Sequence, residues 1–361
     1  MAAHPPRERW PTPSMPSARA FVLAALGSAV ALGAAHAPFA TAATDDPEAL
    51  LRASVDAPKI VSYVGQFETV RFSSSHAVAT IVKVEHRSPE LTRRWYVAPD
   101  ALYGDYVIVR GAETYEFDTK HNKVTVSHNP LLDDQVASSD TFDRVIANYR
   151  AVSDGPGVIA EHPTTSIELV NKYTGERAMR VWLDAKTHLV LKKEAYHGNG
   201  AVASQTLFDD LRYTTSIPDA VFSTDLPAGF TESKGTEVSM PSPDIDRAIK
   251  DAGFTPYTPK DLPEGFKLTS GAVDTVNGVK SLHLLYSDGL RTISLFENAN
   301  GAAADFGSLR PKTTRFEDHD AQYVEDGPTT LLTWKERSLH FALVGDLLLP
   351  GLVSIATSVV P

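Results

Sequence analysis

Strand-forming runs succeed one another along this chain with very little helix between them, and that succession limits it to architectures built on antiparallel sheets. Runs at 64–73, 77–86, 91–97 and 103–109 are dense in β-branched and aromatic residues. Shorter runs at 114–117 and 123–127 flank a turn at Lys120-His121-Asn122. The pattern resumes at 166–171, 178–183, 189–196 and 201–213, with Tyr173-Thr174-Gly175 and His197-Gly198-Asn199-Gly200 as hairpin turns. Gly155-Pro156-Gly157 reads as a further turn. Its proline removes a donor that a phosphate cradle would need. One helix precedes the strands and one interrupts them. The first is a short one within 47–62. The second is capped by Ser139 or Asp140, with Phe142, Val145, Ile146 and Tyr149 at helical spacing. So long a sheet with so few helices cannot cover both of its faces. It must curl, pair with another sheet, or leave an apolar concavity.

The pattern changes after Phe222. Residues 227–243 are rich in Pro, Gly, Ser and charge, a linker composition. A short helix is expected over 244–252, and a second strand system begins near Phe266. Asn277-Gly278 accepts the positive φ angles of a type I′ turn and marks its first hairpin. Ser287-Asp288-Gly289 marks a second, and 329–335 with 338–344 a third. Leu352, Ile355, Ala356 and Val359 fall at helical spacing in the apolar segment 347–360, which is expected to dock on this second sheet. The expected fold class is α+β and mostly antiparallel β: a curved sheet over 43–226, a linker over 227–243, and a smaller antiparallel sheet with a terminal helix over 244–361.

The first 42 residues read as an address. Fifteen uncharged residues, 21–35, follow Arg19, and small residues lead to Ala40-Thr41-Ala42. This is the pattern of a secretory signal peptide, too short to span a membrane. No Arg-Arg pair precedes the run, and Met15 offers a second start. Cleavage after Ala42 takes the formal charge from −11 to −13. The expected product is periplasmic and does not span the membrane.

Composition and motifs remove most chemistry. The chain has no cysteine, which excludes disulfides, thiolate catalysis and Cys-type metal sites. An acidic balance of 45 Asp+Glu against 34 Lys+Arg argues against nucleic acid as a partner. No nucleophile elbow, HExxH helix or Walker A loop occurs. His121 and His128 with Asp118 form no recognisable ligand spacing and read as exposed turn residues. Asp133-Asp134 and Asp209-Asp210 are adjacent pairs, and neighbours on a strand face opposite ways, so neither readily shares a proton. No catalytic residue, cofactor or metal is expected.

Two groups of residues remain as binding candidates. In Arg93-Arg94-Trp95-Tyr96, Arg94 and Tyr96 share one strand face and Arg93 and Trp95 the other. The cluster is either an anion-and-aromatic platform or an edge strand whose arginines pack on rings. Phe67, Tyr96, Tyr106, Trp182, Leu191 and Phe208 are individually core residues. Taken together they are candidates for lining an apolar ligand cavity in the curled sheet.

Two stretches resemble known families. Arg180-Val181-Trp182-Leu183-Asp184, then Leu189-Val190-Leu191-Lys192, then Gln205-Thr206-Leu207-Phe208, is similar to the late strands of the LolA-like half-barrel. Leu262-Pro263-Glu264-Gly265-Phe266, Tyr286-Ser287-Asp288-Gly289-Leu290, Ile293-Ser294-Leu295-Phe296-Glu297 and Val344-Gly345-Asp346 resemble the C-terminal domain of the RseB/MucB family. The resemblance implies a LolA-like first domain and a periplasmic negative regulator of an envelope-stress sigma factor. Such a regulator binds the periplasmic region of an anti-sigma factor and senses lipid-bearing envelope molecules. It also makes Tyr286, Asp288 and Leu290 candidates for partner contact. The competing readings are a lipid or lipoprotein carrier of the LolA type and an enzyme acting on the cell wall.

Overall fold

The computed structural model describes residues 46–73, 76–128, 139–234, 242–276, 279–299, 306, 310–326 and 329–360. The expected signal segment and cleavage point, Asp133-Asp134, the middle of the 227–243 stretch and the expected Asn277-Gly278 turn lie outside these residues.

Helix α1 (Pro47–Ile60) starts where the Asp46 side chain accepts the Glu48 N–H at 3.1 Å and Pro47 occupies the first turn. Six strands follow: β1 (Tyr63–Phe72), β2 (Ala77–Arg87), β3 (Leu91–Ala98), β4 (Tyr106–Arg110), β5 (Glu113–Asp118) and β6 (Lys123–His128). After helix α2 (Ser139–Asn148) come β7 (Tyr149–Ile159), β8 (His162–Asn171), β9 (Arg177–Asp184), β10 (Val190–Tyr196), β11 (Val202–Tyr213) and β12 (Thr231–Lys234). They form one twelve-stranded sheet in the order β12-β6-β5-β4-β3-β2-β1-β11-β10-β9-β8-β7. Every neighbour is antiparallel except β12 with β6. The edge strands β12 and β7 do not pair with each other, so the sheet stays open.

The sheet curls at one end. Imidazole Nε2 of His162, beyond the β7–β8 turn, donates to the Leu211 carbonyl at 3.1 Å, and its ring lies edge-on to Tyr213 at 5.2 Å. Its Nδ1 is 3.3 Å from the buried Asp184 carboxylate.

Alternation gives the sheet two different faces. On the helix face, Tyr63, Phe67, Val82, Val84, Leu191 and Phe208 pack with Ala57 of α1. A neighbouring cluster joins Leu51 of α1 and Phe142, Val145 and Tyr149 to Ile167, Leu169 and Val181. On the opposite face, Ile108, Phe117 and Val124 pack under Ile217 and Phe222, the latter in the 3-10 turn Asp219–Phe222.

The second sheet begins after α3 (Ile245–Ala252), which Asp244 caps and Gly253 ends at φ +77°. The strands are β13 (Thr258–Pro259), β14 (Lys267–Val276), β15 (Val279–Ser287), β16 (Thr292–Ala299), β17 (Lys312–Phe316), β18 (His319–Asp326), β19 (Thr329–Glu336) and β20 (Leu339–Gly345). Helix α4 (Leu349–Thr357) and β21 (Val359–Val360) close the chain. Seven strands run β14-β15-β16-β20-β19-β18-β17, and β13 pairs with β21. Ala248, Ala252, Leu352 and Ile355 of α3 and α4 cover one face together with Leu284, Leu295, Trp334 and Phe341.

Three expectations change, and one hairpin goes unread in the sequence. Gly155-Pro156-Gly157 is not a free turn. It lies inside β7, where the register against β8 shifts between Ser153 and Pro156, a bulge that lets an edge strand hold a proline. The 227–243 stretch is not wholly linker, because β12 extends the first sheet and Ser242 bridges to Gly271 of β14. The run at 103–109 begins as a loop, with Tyr103 exposed and β4 starting at Tyr106. The β17–β18 hairpin carries few apolar residues and gives no strong strand signal in the sequence.

Candidate functional site

The six cavity candidates do not come together. Phe67, Leu191 and Phe208 are buried on the helix face, with Tyr96 packed beside them. Phe67 faces Phe208 across the β1–β11 pair, their rings 5.5 Å apart. Tyr106 lies on the opposite face, stacked on Phe117 at 4.2 Å. Trp182 neighbours Lys192 across β9–β10, with Lys192 Nζ 4.3 Å above its ring and Arg180 stacked at 4.5 Å. Burying Trp182 between two cations separates it from Val181, which faces the helices. The four helix-face residues form a filled core and not an open concavity.

The Arg93–Tyr96 cluster sits on β3, an interior strand and not an edge. The Arg94 guanidinium lies 5.3 Å from the Phe67 ring on the helix face. On the other face Arg93 lies 5.3 Å from both Trp95 and Tyr106 and 3.8 Å from the Glu85 carboxylate. There a groove of about 500 Å³ is lined by Gln66, Lys83, Arg93, Trp95 and Arg212 among others. Trp95 is 44% exposed at its wall.

The densest polar construction is elsewhere, where the second sheet meets the first. The Ser287-Asp288-Gly289 turn between β15 and β16 is closed by Asp288, whose Oδ1 accepts the N–H groups of Leu290 and Arg291 at 2.9 and 2.8 Å. Its Oδ2 accepts the Tyr149 hydroxyl at 2.5 Å. Asn148 Nδ2 donates to the carbonyls of Asp288 and Gly265 at 2.8 and 3.2 Å, and Tyr173 donates to Asn148 Oδ1 at 3.2 Å. Leu290 packs into the cluster of Val145 and Ile167. The Arg291 guanidinium donates to the Tyr196 carbonyl at 3.3 Å.

Glycine permits the approach. A Cβ on Gly289, at φ +105°, would stand 2.7 Å from the Val145 backbone nitrogen. One on Gly265, at φ +92°, would stand 2.9 Å from the Asn148 side chain.

Burial shapes the electrostatics. It pushes the Tyr149 phenol far above its ordinary range, and the Asp288 carboxylate adds to the shift, so the hydroxyl is a permanent donor. Burial also raises Asp346, whose Oδ1 accepts from Thr329 at 3.0 Å. Burial, and then the Arg291 charge, lowers His197. Arg291, Asp346 and His197 line a cavity of about 120 Å³ with Met179, Leu290 and Tyr196.

Tyr286, Asp288 and Leu290, read from the sequence as partner-facing, are therefore internal. Tyr286 and Asp288 are 3% and 1% exposed. Asp288 and Leu290 hold the two sheets together, and Tyr286 packs in the core of the second sheet. Asn148 and Arg291 went unnoticed in the sequence, and Tyr149 and His197 read there only as helix-face and turn residues, because each is unremarkable beside its own neighbours. Gly265, Gly289 and Asp346 stood in the family motifs, but a motif does not name the surface it touches. Among the described residues no group of three or more His, Asp or Glu could hold a metal ion. His121 pairs with Asp118 at 2.6 Å in an exposed turn.

Comparison with known proteins adds the family. Residues 104–226 match the family model described as the MucB/RseB N-terminal domain. The chain carries a MucB/RseB domain. The match begins at Gly104 and runs to Leu226, so it takes in β4 to β11 and the 3-10 turn, while β1–β3 and the second sheet lie outside it. No curated protein matches the chain. A crystal structure of MucB in complex with MucA(peri) is similar over 88% of this chain and 99% of that one, at 17% identity and TM-score 0.59. A MucA/MucB complex from Pseudomonas aeruginosa is similar over 87% and 98%, at 16% identity and TM-score 0.61. At these identities the likeness is one of fold, and it extends across both sheets of this chain.

Proposed function

We propose that this chain is a periplasmic regulatory binding protein that takes the periplasmic region of an anti-sigma factor and so restrains an envelope-stress sigma factor. The observation that carries the reading is the two-sheet likeness to MucB, seen in complex with MucA(peri), over 88% of the chain. The MucB/RseB domain at 104–226 supports it independently. Among the described residues no helix is long and apolar enough to cross a membrane.

The sensed molecule is proposed to be lipid-bearing. The helix face is filled by Phe67, Leu191 and Phe208 under Ala57, so an acyl chain would enter only by displacing that cover. This disfavours the simple carrier reading, which needs a standing cavity. Titration calorimetry of the full chain against the periplasmic segment of a single-span protein encoded beside a sigma factor tests the reading. Saturable binding that weakens with salt is expected for a chain of net charge −11. No binding at millimolar segment would overturn it.

A further inference from the structure

Glu297 of β16 has no exposed surface. It points with Ile293 and Leu295 into the face that α3 and α4 cover, an otherwise apolar core. One oxygen, Oε2, accepts the Tyr257 N–H at 2.9 Å. The other, Oε1, is buried and has no hydrogen-bond partner, and the buried Tyr286 hydroxyl also has none. The two groups act on each other electrostatically, since Glu297 raises the Tyr286 phenol beyond what burial does.

Among the described residues, the surroundings hold nothing to neutralise a carboxylate. Helix α4 carries no charged residue. The charged residues of α3, Asp246, Arg247, Lys250 and Asp251, are all exposed. Arg337 donates to the Tyr257 hydroxyl at 3.4 Å and not to the acid, and Glu336 faces His319 at 3.7 Å. His283 stacks on Phe296 and bonds Ser294, away from the apolar core. A single backbone donor does not offset removing a full charge from water.

We propose that Glu297 is a proton-operated latch in the second sheet, closed when its carboxyl is neutral and drawn open when it ionises. Neutral, it completes the core and holds the Tyr257 loop, which leads to β13 and its pairing with the chain end at β21. Ionised, it demands a second donor, and the Tyr286 hydroxyl, on the same face of the sheet, is buried without a partner. Tyr286 stands two residues before Asp288, so the demand falls at the root of the turn that docks the sheets. Burial lifts the carboxyl to about 7, only partly countered by the Tyr257 N–H, which puts the change at neutral pH. An acid raised in the folded state contributes stability fully below its unfolded value and loses it as pH rises toward the folded value.

This inference goes beyond partner binding and is tested without a partner. The thermal midpoint of the full chain and hydrogen exchange at the Tyr257 amide are followed from pH 5 to 8.5 for wild type and Glu297→Gln. The expected result is a wild-type midpoint that falls by several degrees relative to the variant across this range. Wild-type exchange at Tyr257 should also outpace the hydroxide-driven rise that the variant follows. Parallel profiles overturn the proposal. Should the variant not fold, the carboxyl ¹³C resonance of wild-type Glu297 decides: a near-neutral midpoint supports the latch, and an ordinary carboxylate midpoint overturns it.

Discussion

The Tyr149 hydroxyl donates to the Asp288 carboxylate at 2.5 Å, joining the first residue of β7 to the hairpin that heads the second sheet. Both residues are buried, at 1% exposure each, and they are 139 positions apart in sequence. A charge-assisted bond in such a place is worth more than a surface one, and removing one partner leaves the other short of a donor. Tyr149→Phe is therefore expected to lower unfolding free energy by about 1.5–3 kcal/mol, the range for hydrogen bonds to charged groups. Urea unfolding measures it, and a loss no larger than that of a surface substitution would contradict the joint.

Gly289 and Gly175 both hold positive φ, at +105° and +73°, but only Gly289 has backbone against it. Gly175→Ala is expected to cost about 1 kcal/mol, from the left-handed backbone alone. Gly289→Ala must also push against the Val145 nitrogen, and should cost clearly more and loosen the joint. Limited proteolysis between the sheets, compared for the two variants, separates local strain from loss of docking.

The two faces of the first sheet predict two different responses to truncation. Phe67→Ala removes a ring that is 1% exposed and is expected to cost about 3–5 kcal/mol. Trp95→Ala, at the open groove, should change stability by no more than about 0.5 kcal/mol. Denaturant midpoints of the two variants give the comparison. A ligand that binds in the groove would lose affinity with Trp95→Ala while the fold stays intact.

Asp184 sets an acid limit on the curl. Burial pushes its carboxyl up, but the N–H groups of Thr187 and Lys186 and the hydroxyls of Thr187 and Tyr213 outweigh burial and leave it below the ordinary value. A depressed carboxyl contributes stability above its unfolded value and loses it as pH falls through the folded one. Asp184→Asn is thus expected to be less stable than wild type by about 1–3 kcal/mol at pH 7. The gap should close as the pH drops below the ordinary aspartate range, which pH-dependent unfolding would reveal.

Much of this architecture is legible in residue order. The runs that became β1, β2, β3, β9, β10 and β11 announce themselves because burying one face of a strand requires alternation, and their turns need Gly, Asn or Asp. The terminal helix and the motif around Asp288 are local and could be read as such. What stayed hidden depends on partners far away in sequence. A bulge lets Pro156 sit in edge strand β7, and β12 looks like linker until β6 lies beside it. Aromatic identity could not say that Tyr106 and Trp182 face away from Phe67 and Phe208, because register across several strands decides which side each takes.

The sequence by itself determined the antiparallel class, the two strand systems and the family resemblance, because periodicity and turn chemistry act over a few residues. Only the tertiary structure decided where Tyr286, Asp288 and Leu290 point. Asp288 and Leu290 lie inside the joint because Tyr149, Asn148 and Val145 from a distant segment supply the donors and the apolar socket that burial requires, while Tyr286 packs in the core of the second sheet.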